Sequence, residues 1–302
     1  MFYGRYLKVE FPEINKSYTS DYDFDEKGGN APRMKVEANL KKGFYIQGKI
    51  SLYNLNNNSI KELQSNEYSV IINAGYKIGS KQTQIVYAEK RYTELLRIGS
   101  DLIFNIYFLS GILNKKEAIT IRKDNINNII RNQCRQFGYS FVFKDNVFNN
   151  STLENITLTG NLFNRLQKLQ SYLSFDFYEQ NKQLIFTPLG KDGDDGDVFE
   201  IDVSEGLLSI PTYSRVGIEV NFKMMFNINV FIGRKIRLTN KFQRINVSDE
   251  NKTFASEIIE QNISQIKDIV FRVIDINYNL DTRGKDFNIE IQAQKNDKQW
   301  NS

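Results

Sequence analysis

Residues 205–240 have the sequence EGLLSIPTYSRVGIEVNFKMMFNINVFIGRKIRLTN, which combines a strand pattern with regularly placed bends. In GIEVNFKM (217–224) apolar and polar side chains alternate with a period of two. That period predicts a β-strand with one buried face. Glycine and proline favour strand ends and the corners of a curved sheet. The bends predicted on this basis lie at Gly206, Pro211, Gly217 and Gly233.

The N-terminal part of the chain contains a series of similar β-rich runs. They are MKVEANL (34–40), GKISLYNL (48–55), SVIINAGYKI (69–78), QTQIVYAEKRYTELL (82–96) and SDLIFNIYFLSG (100–111). Short strands at regular spacing are typical of a barrel or sandwich. Gly75, next to Tyr76, allows a bend that a branched residue would resist. The run 100–111 is apolar on both faces, which predicts a central strand or an interface strand.

The period changes in the middle of the chain from that of a strand to that of a helix. DNINNIIRNQCRQFG (124–138) places Ile126, Ile130 and Cys134 on one stripe, and Gly138 is a suitable residue to end the helix. NLFNRLQKLQSYL (161–173) predicts a second helix with a leucine stripe. Two further strand-like runs, FDFYEQ and QLIFTPL, then flank a polar turn. The middle segment is therefore predicted to be α/β.

These runs together predict an α+β fold that is mainly β, with β-barrel domains at both ends and an α/β module between them. The predicted domains are 1–122, 123–204 and 205–302. Two arrangements stay open for the last region. It either forms a barrel alone or combines with part of the first region as one interrupted domain.

Composition excludes several classes of function. The 302 residues include no histidine and a single cysteine, Cys134. Without histidine, neither a Ser-His-Asp nor a Cys-His mechanism is possible, and a conventional zinc site is not expected. The formal net charge of +4 comes from 40 basic and 36 acidic residues without a dense basic block. No run of about 18 apolar residues occurs, so no membrane span is expected.

Two aspartate clusters have the residue types of a metal site or an acid pair. The first comprises Asp192, Asp194, Asp195 and Asp197, and the second comprises Asp21, Asp23 and Asp25. An EF-hand requires Gly at its sixth position and Glu at its twelfth, and counting from Asp192 these positions hold Asp197 and Val203. The second cluster has no apolar surroundings to raise a pKa. Both are predicted to be solvated loops, and no metal, cofactor or catalytic residue is expected.

Several motifs, most of them containing glycine, follow one another in a distinctive order. They are SLYNL (51–55), INAGYK (72–77), QIVYAEKRY (84–92), GSDLIFNIYFLSG (99–111), FGYSFVF (137–143), LQKLQSYLSFDFYEQNKQLIFTPLG (166–190), the stretch 205–240 and FRVIDINYNLDTRGKDFNIEIQAQ (271–294). Their order is similar to that of the phage tail baseplate hub protein family of contractile tails. Within 205–240, the bend residues Gly206, Pro211, Gly217 and Gly233 hold the spacing of that family.

The resemblance implies a structural role rather than an enzymatic one. It implies a baseplate hub component of a phage tail or phage-derived injection particle, with tube-like barrels that line a channel. Three chains would form a homotrimeric ring that joins the tail tube protein to the central spike protein. The tape measure protein and other baseplate proteins would be further partners. DNA would pass through the lumen without sequence-specific binding, and no stable membrane insertion would occur. The protein would be made in the host cytoplasm and located in the virion baseplate.

The candidate structural and interface residues are Gly75, Tyr76, Phe104, Tyr107, Phe108, Gly206, Pro211, Gly217 and Gly233. The three aromatic residues from the run 100–111 are candidates for a subunit interface. Two other classes of function stay open. An OB-like module for nucleic acid or carbohydrate would use the abundant aromatic residues beside Lys and Arg. A cell-wall hydrolase would need a buried acid pair, which the sequence does not show.

Overall fold

In a computed structural model of the chain, the described residues are 3–20, 32–78, 82–114, 116–148, 151–189, 197–214, 219–239, 246–247 and 269–295. Some predicted features lie outside the described residues. They are Asp21, Asp23, Asp25, Asp192, Asp194, Asp195 and Gly217.

The N-terminal region supplies most of the long strands. They are β1 (Tyr3–Phe11), β2 (Lys16–Thr19), β3 (Met34–Lys41), β4 (Gln47–Tyr53), β5 (Ser69–Ile78), β6 (Thr83–Ile98) and β7 (Asp101–Leu109). Helix α1 (Asn57–Ser65) and two short 3-10 helices, Pro12–Ile14 and Gly111–Leu113, lie between or after these strands.

The middle and C-terminal regions supply the remaining elements. The middle elements are β8 (Ile119–Asn125), α2 (Ile126–Gln136), β9 (Ser140–Phe143), β10 (Thr152–Leu158), α3 (Leu162–Gln170), β11 (Phe175–Gln180), β12 (Gln183–Pro188) and β13 (Phe199–Ile201). The C-terminal elements are β14 (Thr212–Ser214), β15 (Glu219–Met225), β16 (Lys235–Leu238), β17 (Asn246–Val247), β18 (Val270–Asp281) and β19 (Phe287–Lys295).

Strands from both ends of the chain belong to one 14-stranded sheet. Its main order is β17-β14-β15-β19-β18-β3-β4-β7-β6-β5-β1-β2, and β16 with β13 branches from β18. The antiparallel pair β3–β18 joins the two ends, with Leu40 opposite Ile276 and Val36 opposite Leu280. These four side chains are buried, because each strand turns its apolar positions to the same face.

The structure confirms the predicted class, a mainly β, α+β fold with an α/β module. It also confirms that the run 100–111 forms a central strand, since β7 lies between β4 and β6. Among the described strands, no barrel closes at either end; the sheet is open, and β3 pairs with β18 instead. Hydrophobic period fixes which face of a strand is buried, but it does not determine which distant strand will be its neighbour.

The two predicted middle helices are present, and α3 ends at Gln170, three residues before its predicted end. The Asn125 side chain accepts a hydrogen bond from the Asn127 backbone N–H at the start of α2, and Asn161 does the same for Asn164 at the start of α3. After α2, Gly138 adopts a φ of +74°, which ends the helix as predicted.

The apolar side chains form two clusters. One fills the interior of the curved sheet, and the other lies between α2, α3 and the strands β9, β11 and β12. In the second cluster the Phe148 ring lies 5.2 Å from Phe175 and 6.1 Å from Phe186. Cys134 is buried there, and burial raises the pKa of its thiol to about 12, so it packs as a protonated apolar group.

Candidate interaction surface

Seven neighbouring strands, in the order β6-β7-β4-β3-β18-β19-β15, bury one face and present polar side chains on the other. On β3, Val36 and Ala38 are buried, whereas Glu37 and Asn39 are half-buried on the opposite face. An open groove of about 840 Å³ runs across this second face. We call it the polar face, and its central residues are Glu37, Asn39, Lys49, Tyr107 and Asn277.

Charges on the polar face are largely paired with each other. The Glu37 carboxylate accepts contacts of 2.8 Å from the ammonium groups of both Lys35 and Lys49. Partial burial raises the pKa of Glu37, but hydrogen bonds from these two lysines outweigh it and hold the pKa below its usual value. Lys223 and Glu290 pair at 3.6 Å on β15 and β19. The face is therefore ionised but close to electrically balanced.

An aromatic and amide network continues the polar face onto β6 and β7. The Tyr92 and Tyr107 rings stack with centroids 4.2 Å apart. The Tyr107 hydroxyl donates to Glu94 Oε2 at 3.1 Å, and Asn105 Nδ2 donates to the same oxygen at 3.0 Å. Burial and the bond to Glu94 raise the pKa of Tyr107, so its hydroxyl stays protonated and continues to donate. These contacts hold the side chains of Tyr92, Tyr107, Glu94 and Asn105 in fixed positions on the polar face.

The three aromatic candidates from β7 lie on different faces. Phe104 and Phe108 are 1% and 2% exposed and belong to the core of the chain. Tyr107 is half-buried on the polar face. Consecutive side chains of a strand point to opposite faces, so Tyr107 must face away from its neighbour Phe108.

Gly75 and Tyr76 lie inside β5 and contribute to the core. Gly75 pairs with Tyr6 of β1. The Tyr76 ring packs edge-on against Phe287 at 5.5 Å and near Phe226 at 6.3 Å. Burial raises the pKa of Tyr76 to about 12. Since β5 and β19 are distant in the sheet order, this contact shows that β5 folds back across the apolar face of the other strands.

Of the bend residues, Gly206 and Gly233 occupy turns with φ angles of +92° and +88°. Left-handed backbone of this kind favours glycine. A side chain at Gly206 would also meet the Met225 Cβ at 2.9 Å. Pro211 is buried immediately before β14. The described candidates do not converge on one site. They are distributed between turns, the core and the polar face.

A hydrogen-bonded seam between the sheet and the middle module was not predicted from the sequence. Glu179 is 4% exposed and accepts hydrogen bonds from the hydroxyls of Ser110 and Tyr139, the second at 3.0 Å. Burial raises the pKa of Glu179 to about 7 despite these bonds. Lys42 pairs with Asp176 at 2.7 Å along the same seam. We use the term seam for Ser110, Tyr139, Glu179, Lys42 and Asp176.

Two further observations concern the described residues. No group of three or more Cys, Asp or Glu side chains in this part of the chain is placed to hold a metal ion. No helix among the described residues is both long enough and apolar enough to cross a membrane.

Solved structures share this fold across nearly the whole chain. The 43 kDa tail protein of prophage MuSo2 from Shewanella oneidensis has a TM-score of 0.61 and 8% identity, over 96% of this chain and 98% of that chain. The E. coli c3393 protein, a component of the type VI secretion system, has a TM-score of 0.59 and 8% identity, over 95% of this chain and 76% of that chain. A Francisella PdpA-VgrG complex structure gives a TM-score of 0.56 and 9% identity, over 98% of this chain and 59% of that chain. The fold is therefore one shared by phage tail and type VI secretion proteins.

The comparison with family models identifies the family. The model for baseplate hub gp41 matches residues 45–274, which is most of the chain. The chain belongs to the baseplate hub gp41 family and is a structural component of a tail baseplate. This confirms the resemblance found in the sequence motifs. No match was found among curated proteins.

Proposed function

We propose that three copies of this chain form a ring that joins the tail tube to the central spike of the baseplate. The polar face would line the passage through this ring. The observation that carries the proposal is the broad two-faced sheet, which has an apolar side packed in the core and a polar side with paired charges. The wall of a ring needs both properties, because its apolar face must pack against the core of the chain and its polar face must be in contact with water in the passage.

The dimensions of the sheet suit a closed ring of three. Seven strands spaced about 4.8 Å apart give each chain roughly 34 Å of wall. Three such walls would close a circle about 32 Å across between backbones, and strand tilt would widen it. Side chains would narrow this opening but would leave room for DNA or another extended polymer.

The ring is tested by measuring the mass of the purified protein in solution and imaging it by electron microscopy. We expect three times the 35.2 kDa mass of one chain and a particle with a central hole. A second arm mixes the ring with tail tube protein and with spike protein, and we expect each to bind a different end. A monomer at all concentrations would overturn the ring.

We also propose that DNA passes the polar face without stable binding. Paired charges release few counterions from DNA, so binding of duplex DNA at physiological salt should be undetectable. Replacing Glu37, Glu94 and Glu290 together with lysine should strengthen binding of a duplex oligonucleotide at least about 10-fold, with a steep salt dependence. Fluorescence anisotropy at several salt concentrations provides the measurement.

A matched triple variant controls for the change in net charge. Glu62, Glu154 and Glu200 lie outside the groove and form surface ion pairs. Replacing these three with lysine should strengthen DNA binding much less than the polar-face variant does. Tight, salt-dependent binding by the unaltered protein would instead support the nucleic-acid module that the sequence left open.

The remaining parts of the proposal concern the wall and its assembly. We place Tyr107 on the passage side, and Phe104 and Phe108 inside the wall as structural residues. We propose no catalytic activity, which a cell-wall zymogram without clearing would support. We propose domains at 1–122, 123–204 and 205–302, with the first and last sharing the sheet through β3–β18. Synthesis in the host cytoplasm would precede incorporation into the tail.

A further inference from the structure

The outer half of β6 has a partner strand on one side only. Strand β5 pairs with β6 up to Glu89, whereas β7 follows β6 as far as Ile98. Among the described residues, no strand pairs with 91–98 on the side away from β7. We call residues 91–98 the hairpin edge. An unpaired strand edge offers backbone N–H and C=O groups to another chain.

The hairpin edge also exposes large apolar side chains on both of its faces. Tyr92, Leu96 and Ile98 lie on the face of Tyr107, and Ile98 is 63% exposed. Leu95 lies on the other face, opposite the buried Phe104, and is exposed where the core ends. Native proteins normally protect such an edge with charge or a covering element. An exposed apolar edge therefore indicates that another molecule covers it.

A second exposed apolar segment lies beside β15, at the opposite end of the polar face. Residues 202–210, which we call the loop edge, run along β15, where the Leu208 backbone N–H donates to the Lys223 carbonyl at 2.8 Å. Leu208 is 54% exposed, and Val203 and Ile210 are exposed beside it. Between the hairpin edge and the loop edge lie the six described strands β7, β4, β3, β18, β19 and β15.

The two edges carry opposite charges. The hairpin edge has the sequence RYTELLRI, in which Arg91 and Arg97 are exposed and Glu94 is held by Tyr107 and Asn105. The loop edge has the sequence DVSEGLLSI, which contains Asp202 and Glu205 and no basic residue. Complementary charge beside apolar contact area selects one partner surface and suppresses contact between two identical edges.

We propose that the hairpin edge of one copy packs against the loop edge of the next copy. The proposal rests on the proposed ring and names the surfaces that close it. A head-to-tail contact between two different surfaces closes into a ring when the rotation between copies allows it. Because the edges lie at the two ends of the polar face, this contact would continue that face from one copy to the next.

The test compares Ile98→Asp and Leu208→Asp with the control Leu189→Asp. Leu189 is 62% exposed at the end of β12, outside both edges, so it matches Ile98 in exposure. The dissociation constant for the assembled protein is measured by analytical ultracentrifugation. We expect it to rise at least about 10-fold in each edge variant and to stay unchanged in the control. Unfolding curves should show that all three variants fold.

A charge-reversal pair tests whether the two edges meet each other. Arg97→Glu alone and Glu205→Arg alone should each weaken association, and the double variant should recover most of it. An intact trimer in both edge variants, or equal weakening in the control, would overturn the edge pairing while leaving the ring standing. A double variant with no recovery would also overturn the pairing. A monomeric unaltered protein would overturn the ring itself.

Discussion

Replacing Gly48 with alanine is expected to lower the free energy of unfolding by about 3 kcal/mol. Strand β4 lies between β3 and β7, and an alanine Cβ at this position would lie 2.5 Å from the Glu37 carbonyl oxygen and would overlap the Phe108 ring. The ring could rotate away, but the carbonyl cannot, because β3 is paired with β4 on one side and β18 on the other. Urea unfolding followed by circular dichroism measures the loss.

The matched control is Gly99→Asn in the turn between β6 and β7. A Cβ at Gly99 would meet nothing within 4 Å, and its φ of +60° is one that asparagine tolerates. The stability of this variant should stay within about 0.5 kcal/mol of the unaltered protein. A Gly48→Ala variant as stable as the control would show that the sheet at this point is not closely packed.

The second large effect is a pH-dependent loss of stability caused by Glu179. Its pKa is about 7 in the folded chain, whereas an unfolded glutamate titrates near 4.3. Between these values the unfolded chain releases the proton and the folded chain retains it. The contribution of Glu179 is therefore complete below about pH 4 and is lost as the pH rises to about 7. The loss amounts to roughly 3 kcal/mol.

Glu179→Gln isolates this contribution, because glutamine keeps the shape of the protonated acid. We expect similar free energies of unfolding for both proteins near pH 4 and a variant more stable by roughly 3 kcal/mol at pH 8. The groups facing Glu179 are the hydroxyls of Ser110 and Tyr139 and the carboxylate of Glu89, which further raises the pKa. Urea unfolding at each pH gives the difference directly.

The exposed Glu154 provides the control for the pH series. It lies on β10 with 51% of its side chain exposed and pairs with Lys123. Glu154→Gln is measured over the same pH range as a control for replacing a glutamate outside the seam. A stability difference between Glu179→Gln and the unaltered protein that does not change with pH would contradict the assignment of a protonated carboxyl to the seam.

Local features of the fold were predictable because they depend on neighbouring residues. The alternation of Met34, Val36 and Ala38 identified the buried face of β3, and the stripe with Cys134 identified α2. The pairing of β3 with β18 was not predictable in this way. Its side-chain bond from Asn39 to Asp275 joins residues 236 positions apart, and no periodic pattern specifies such a partner.

The candidate surface was predictable only in part, for a similar reason. The apolar character of 100–111 predicted its central position, and its period separated Tyr107 from Phe104 and Phe108. Because both faces are apolar, the period did not show which of them would fill the core and which would face the groove. The alternation in FDFYEQ places Glu179 on the same face as the buried Phe175 and Phe177, but the sequence indicated no partner that would allow a carboxyl group to be buried there. Its burial results from Ser110, at the end of β7, packing against the middle module. The run of apolar residues in 91–98 was a usable signal for the hairpin edge.

The pairing of β3 with β18 also determines how late in synthesis the central sheet can form. A ribosome adding about 5–20 residues per second completes β18 on the order of 10 to 50 s after β3. Throughout that delay β3 lacks its partner strand β18, and one edge of β3 and its apolar side chains stay exposed on the nascent polypeptide. The middle module, whose contacts are local, can acquire structure meanwhile. The central sheet therefore cannot be completed before β18 has been synthesised, and chaperones would be most needed during that delay.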